Sequence, residues 1–191
     1  MFDANLHHRI TTRTPKRCQH PECRRKAGEQ QIRGCIIAVT MGKYALLVRR
    51  SAYYNLDRNS YELIGEKAEP CDGNCIYRMI ARALYEEMAI RFYTANDVDM
   101  VITKYIRSIT RTRKSVVVWL DLPYRSPEQM NAELRTQLSL PYRDGLHESD
   151  DIAFVKLPLN SLMTVPLNGE PIFIPPSSFQ LLRELPLFCG L

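Results

Sequence analysis

Apolar positions along this chain follow two periods. Between Ile32 and Arg49 they form two nearly unbroken runs, ending in AVT and in YALLVRR, on either side of Met41-Gly42-Lys43. Short apolar runs bounded by a glycine turn predict two strands. Tyr61 to Ile64 predicts a third, short strand. Asp72, Gly73 and Asn74 then break the chain and cap a helix, on which Ile76, Ile80 and Ala83 recur at helical spacing. Residues 99–107 and 115–124 predict a strand pair, with Val116, Val118 and Leu120 alternating against Val117, Trp119 and Asp121. Ser126-Pro127-Glu128 opens a helix to about Leu138, since serine caps and proline is tolerated in the first turn. Asp151 to Leu157 predicts a further strand, and Pro175 to Leu185 a final helix carrying Phe179, Leu181, Leu182 and Leu185. Strands and helices that alternate in this way specify an α/β or α+β domain. Residues 1–30 are polar and aperiodic and are expected to form an arm, with residues 31–191 as the domain.

Composition narrows this picture. With 191 residues and 45% hydrophobic content the chain can bury one core and needs no second domain. No run approaches the length of a membrane span, and the first residues lack an apolar signal core, so a cytoplasmic or otherwise intracellular protein, the nucleus included, is expected. Six cysteines at this length do not form a disulfide scaffold, and reduced thiols are expected. The formal charge of +5 is uneven. The arm is basic, residues 101–118 carry Lys104, Arg107, Arg111, Arg113 and Lys114 without an acid, and residues 126–151 are acidic. Each cluster alone is what a solvated face looks like; basic clusters beside phosphate chemistry point to a polyanion.

Candidate chemistry centres on Glu86 and Glu87, which follow Ala83 by three and four residues, so that all three are expected on one region of the helix surface. Adjacent carboxylates there attract a hard divalent cation, which brings phosphate oxygens with it. The segment from Gly65 to Phe92, GEKAEPCDGNCIYRMIARALYEEMAIRF, resembles a degenerate Nudix box, G-x5-E-x7-R-E-U-x-E-E-x-G-U with U a bulky apolar residue. Arg82, Leu84, Glu86, Glu87 and Ile90 stand at the R, U, E, E and U positions. The resemblance covers about residues 32 to 185 and implies a Nudix-type α/β/α sandwich with a mixed central sheet. It implies Mg²⁺ or Mn²⁺ held by Glu86, Glu87 and the backbone carbonyl of Glu66, with Arg82 orienting the carboxylates. Two departures stand out. Ala83 replaces the Glu after the Arg and can neither bind metal nor act as a base. The opening Gly and Glu fall on Glu66 and Asp72 if two extra residues precede Arg82, or on Ala68 and Asn74 without that insertion. The base is then sought at Glu66, Glu69 or Asp72, or at Glu148, Asp150 or Asp151 before the late strand.

The implied activity is cleavage of a nucleoside-diphosphate-linked substrate: the cap diphosphate of mRNA, a free nucleotide or ADP-ribose. The contrasting reading is a catalytically inactive module that binds RNA, in part through the basic arm, or a protein partner. A third is a structural protein in which zinc on Cys18, His20 and Cys23, with Cys71 and Cys75, staples the arm to the loop before the helix. The C-x4-C spacing is unusual for a zinc knuckle, so thiols without metal are expected there. Cys35 is expected in the core, His7, His8 and His147 in exposed loops, and Trp119, Tyr142 and Phe154 as core or rim aromatics.

Overall fold

The computed structural model describes residues 23, 31–50, 59–73, 75–88, 103–122, 126–139, 149–167 and 169–189. Its strands are β1 (Gly34–Met41), β2 (Tyr44–Arg50), β3 (Ile64–Lys67), β4 (Ile106–Arg111), β5 (Ser115–Asp121), β6 (Ser149–Lys156) and the short pair β7 (Met163–Thr164) and β8 (Ile172–Phe173). Its helices are α1 (Ile76–Met88), α2 (Pro127–Ser139) and α3 (Pro176–Cys189). The main sheet runs β4-β5-β1-β2-β6, with β3 paired to β1. The β1–β5 pair is parallel and the others antiparallel, so the sheet is mixed.

Alternation along the strands divides the core in two. Cys35, Ile37 and Val39 of β1, Leu46 and Val48 of β2, Val116, Val118 and Leu120 of β5 and Ile152 and Phe154 of β6 face α1 and Leu134 of α2. Ala38, Ala45, Leu47, Ala153 and Val155 face the other way, against Leu182 and Leu185 of α3. Helices therefore cover both faces of a mixed sheet, the α/β/α sandwich expected. Among the described residues no helix is long and apolar enough to cross a membrane.

Two boundaries differ from expectation, and both bear on the site. Tyr61 to Leu63 does not form the third strand. Glu62 exchanges both backbone hydrogen bonds with Val48 at 2.9 Å, after which the chain passes from β2 to β1 and β3 begins at Ile64. The strand thus continues through Gly65, Glu66 and Lys67. Likewise β4 runs from Ile106 through the polar SITR sequence to Arg111, because Thr112 closes a turn: its N–H donates to the Ser115 carbonyl at 2.8 Å, and its hydroxyl accepts the Ser115 N–H at 3.0 Å. The β1–β2 connection needs Gly42, whose φ of 56° lies in the left-handed region.

Candidate functional site

Arg82 organises the site. It lies on α1, which forms because Ile76, Ile80 and Ala83 make an apolar stripe against β1 and β3. Its guanidinium grips Asp72 with both arms, Nε to Oδ1 at 3.2 Å and Nη2 to Oδ2 at 3.0 Å. Nη2 also donates to the Lys67 carbonyl at 2.6 Å. Nη1 stands 3.0 Å from Glu66 Oε1, 3.0 Å from Glu86 Oε2 and 3.6 Å from Glu69 Oε1. One cation thus faces four carboxylates, from β3, the loop and α1. Burial works against the guanidinium's charge, but the bond to Asp72 and the charges of Glu66, Asp72 and Glu86 outweigh it and hold Arg82 firmly protonated.

Local structure explains how these acids converge. Pro70–Asp72 is a single 3-10 turn closed by Gly73, whose φ of 57° is left-handed. Asp72, 3% exposed, accepts the Glu69 N–H at 2.8 Å as well as the Arg82 fork, so it ties the loop to the helix. Of Asp72 and Asn74, the alternatives left open by the sequence, it is Asp72 that Arg82 is seen to grip. Glu66 comes from β3, which approaches β1 closely at Gly34; a Cβ on Gly34 would lie 2.5 Å from the Glu66 carbonyl oxygen. Beneath the cluster, Cys35 pairs with Glu66 across the ladder, and burial first, then the charge of Glu66, pushes its thiol up to about 12. Cys35 is therefore a neutral core residue.

Glu86 is the titratable member. Its side chain is 13% exposed, and burial pushes its carboxyl up to about 7, against the pull of Arg82 and with the further push of Glu66 and Glu69. Four carboxylates against one guanidinium is an excess of negative charge on hard oxygen donors. That donor set fits a divalent cation such as Mg²⁺ or Mn²⁺. Among the described residues no three metal-ligating side chains already stand in coordinating geometry.

Position 83 is a correction to the expected surface. Ala83 is 0% exposed and packs in the core, and Glu87 is 1% exposed. The helix stripe Ile76, Ile80, Ala83 continues at Glu87, which therefore turns inward, where it accepts a short hydrogen bond from the Ser149 hydroxyl. Of the three positions only Glu86 opens toward solvent.

Asp150 and Asp151 form a separate network at the β2–β6 edge. A bulge between Arg49 and Arg50 shifts the register there, so Ser149 faces Glu87 while Asp150 meets Arg49 at 2.7 Å. Asp151 accepts the Tyr61 hydroxyl at 2.5 Å and pairs with Arg135 of α2 at 2.9 Å. Burial and the bond to Asp151 raise the Tyr61 phenol. Among the described contacts Asp150 is paired with Arg49 and not with Arg82. Glu148 lies outside the described residues.

No protein-family profile and no curated protein sequence matches this chain. Among solved structures, a crystal structure of a Bacillus subtilis pyrophosphohydrolase mutant is similar at 15% identity and a TM-score of 0.37, covering 72% of this chain and 71% of that one.

The zinc reading falls mostly outside the described residues, which exclude Cys18 and His20 and the Cys71 side chain. Cys23 does reach the start of α1, where its sulfur accepts the Ile76 N–H at 3.3 Å. Phe154 is buried in the core; Trp119 is partly buried and donates to the Thr40 hydroxyl at 2.7 Å. Tyr142, the three loop histidines and the rest of the basic arm lie outside the described residues. Ser149 is the site residue that sequence reasoning missed, and only the bulge beside it makes it face Glu87.

Proposed function

We propose that this protein is a Nudix-type hydrolase that cleaves a nucleoside-diphosphate-linked substrate with Mg²⁺ or Mn²⁺. The observation that carries the reading is the cluster of largely buried Glu66, Asp72 and Glu86, with exposed Glu69 at its rim, around the guanidinium of Arg82. Glu86 and Glu66 would hold the cation, while Glu87, turned into the core against Ser149, would support the helix beneath it. The bound cation would neutralise diphosphate oxygens and polarise a water. Arg82 fixes the carboxylate orientations through its fork to Asp72. The attacking water's proton passes to a carboxylate of the same cluster; Glu69, at 54% exposure the most open of the four, is the one we assign, because Ala83 offers none and Asp150 is engaged by Arg49. The cap diphosphate of mRNA, free nucleotides and ADP-ribose are the substrates to test, with RNA contact through the basic arm as part of the first.

Ala83 favours a second reading. A methyl group built into the core where the box carries an acid suits a fold kept for binding RNA or a protein partner. A hydrolysis screen of capped RNA, nucleoside triphosphates and ADP-ribose with Mg²⁺ or Mn²⁺ separates the two. The hydrolase reading expects turnover that Glu86→Gln abolishes. Absence of turnover on all three, with intact cation binding, would establish the binding module.

A further inference from the structure

The strand registers set a basic rim beside the carboxylate cluster. Glu66 pairs with Cys35, Cys35 with Val116, and Val116 with Arg111. Residues opposite one another across a ladder project to the same face, and Cys35 and Val116 lie in the core beneath α1. Glu66 and Arg111 therefore occupy one row on the α1 face, three strand spacings or about 14 Å apart. The next row toward the end of the sheet, Lys67, Gly34 and Ser115, projects to the opposite face, and Arg33 beyond it returns to the α1 face. Arg33 spans that end: its N–H donates to the Lys114 carbonyl at 2.7 Å, and its carbonyl accepts the Ala68 N–H at 2.9 Å. Arg113 and Lys114 form the turn between β4 and β5. Arg33, Lys67, Arg113 and Lys114 are all exposed. Acids that suit a cation and bases that suit an anion thus share one end of the sheet.

We propose that Arg33, Arg111, Arg113 and Lys114 form a subsite for a phosphate group of the substrate beyond the scissile diphosphate. The inference rests on the proposed hydrolase function. The backbones of Glu66 and Arg111 stand about 14 Å apart, so Arg111 and the exposed cations beside it are placed to one side of a linkage held at Glu86 and Glu66. A further phosphate on the same ligand would bridge the two regions. Arginine forks and lysine ammonium groups on neighbouring strands are the chemistry that recognises it. Its source is either a second phosphate on the same nucleotide or the backbone of a nucleic-acid strand.

The test uses the full chain and the variant Arg33→Gln/Arg113→Gln/Lys114→Gln, three exposed positions whose replacement leaves Arg82 and its carboxylates intact. Three diphosphate substrates are compared under Mg²⁺: ADP-ribose, a diphosphate-linked nucleotide carrying a 3′-phosphate, and a 5′-triphosphorylated tetranucleotide. The expected result is that kcat/KM for the phosphate-bearing substrates, relative to ADP-ribose, falls about tenfold, through KM. Loss on both identifies a nucleotide phosphate as sufficient; loss on the tetranucleotide alone identifies the strand backbone. In parallel, anisotropy titration of the labelled tetranucleotide reads binding without turnover, and the slope of log affinity against log salt is expected to shrink by about 2 for three lost cations. A reduced slope without turnover in the parent would reject the hydrolase while keeping the rim. Turnover with unchanged ratios and unchanged slope, or a parent that neither binds the strand nor favours the phosphate-bearing substrates, would overturn the subsite.

Discussion

Replacing Arg82 with Met removes the guanidinium that pairs with Glu66, Asp72 and Glu86, all three largely buried, and with exposed Glu69, while keeping an unbranched apolar stem on α1. Asp72 loses both arms of its fork, Glu66 and Glu86 lose contacts at 3.0 Å, and the Lys67 carbonyl loses a donor at 2.6 Å. Removing one partner of a buried ion pair costs about 3–5 kcal/mol, because the remaining charge is left uncompensated. Glu69 adds little to that figure, since solvent screens it. With a slope of about 2 kcal/mol/M in urea, the unfolding midpoint should fall by about 2 M. The loss should also depend on pH in a definite direction. Glu86 is already pushed up to about 7 by burial with Arg82 in place, and losing Arg82 removes the charge that pulls it down, so the native state binds more protons than the unfolded chain across the window between its unfolded and native values. Stability of the variant then falls as pH rises through that window, and the penalty is smaller at pH 5 than at pH 7.5. Arg82→Lys keeps the charge but not the fork and should fall between the two. A loss below about 1 kcal/mol, the range of exposed pairs, or a loss that is the same at both pH values, would refute Arg82 as the organising cation.

Three further outcomes are expected. Ala83→Glu should not restore a surface acid: it drives a carboxylate into the core position that is 0% exposed, so a loss of about 3 kcal/mol or more in urea unfolding is expected, and wild-type stability would show that position 83 opens to solvent. Ser149→Ala withdraws a hydroxyl donor from buried Glu87 and should cost about 1.5–3 kcal/mol in the same assay, with Ser149→Thr recovering part of it; no change would mean that the hydroxyl does not hold Glu87. Because burial pushes Glu86 up to about 7 from 4.5, the native state holds its proton through a window in which the unfolded chain has lost it, and stability falls as pH rises across that window. A cation favours the ionised form, so Mn²⁺ should bind more tightly at pH 8 than at pH 6 and release a proton near pH 6.5, which calorimetry in buffers of different ionisation enthalpy reads directly; equal affinity at both pH values would contradict it.

Much of the site was legible because helices advertise themselves by spacing. Ile76, Ile80 and Ala83 define α1, and Arg82 with Glu86 is a pair one turn apart that any helix would bring together. The same stripe also contained the fate of Glu87, four residues beyond Ala83 on the apolar face, although its neighbour Glu86 suggested a shared surface. Asp72 was legible only as one of two alternatives, since it closes a 3-10 turn whose geometry no periodicity encodes. Ser149 and Asp150 were not separable from sequence: a one-residue bulge decides which of them faces α1, and bulges leave no reliable mark on the alternation. The basic rim from Arg33 to Arg111 was visible as charge but not as a rim, because register between distant strands is a property of the sheet.

The central claim, that the Arg82 cluster holds a divalent cation through Glu86, is tested most directly by titrating Mn²⁺ into the full chain and into Glu86→Gln and following the free-ion signal by electron paramagnetic resonance at pH 8. The account predicts a bound stoichiometry near one for the parent and affinity at least about tenfold weaker in the variant, with the fold unchanged by circular dichroism. Equal Mn²⁺ affinity in the parent and in a folded Glu86→Gln, or no binding to either, would contradict it.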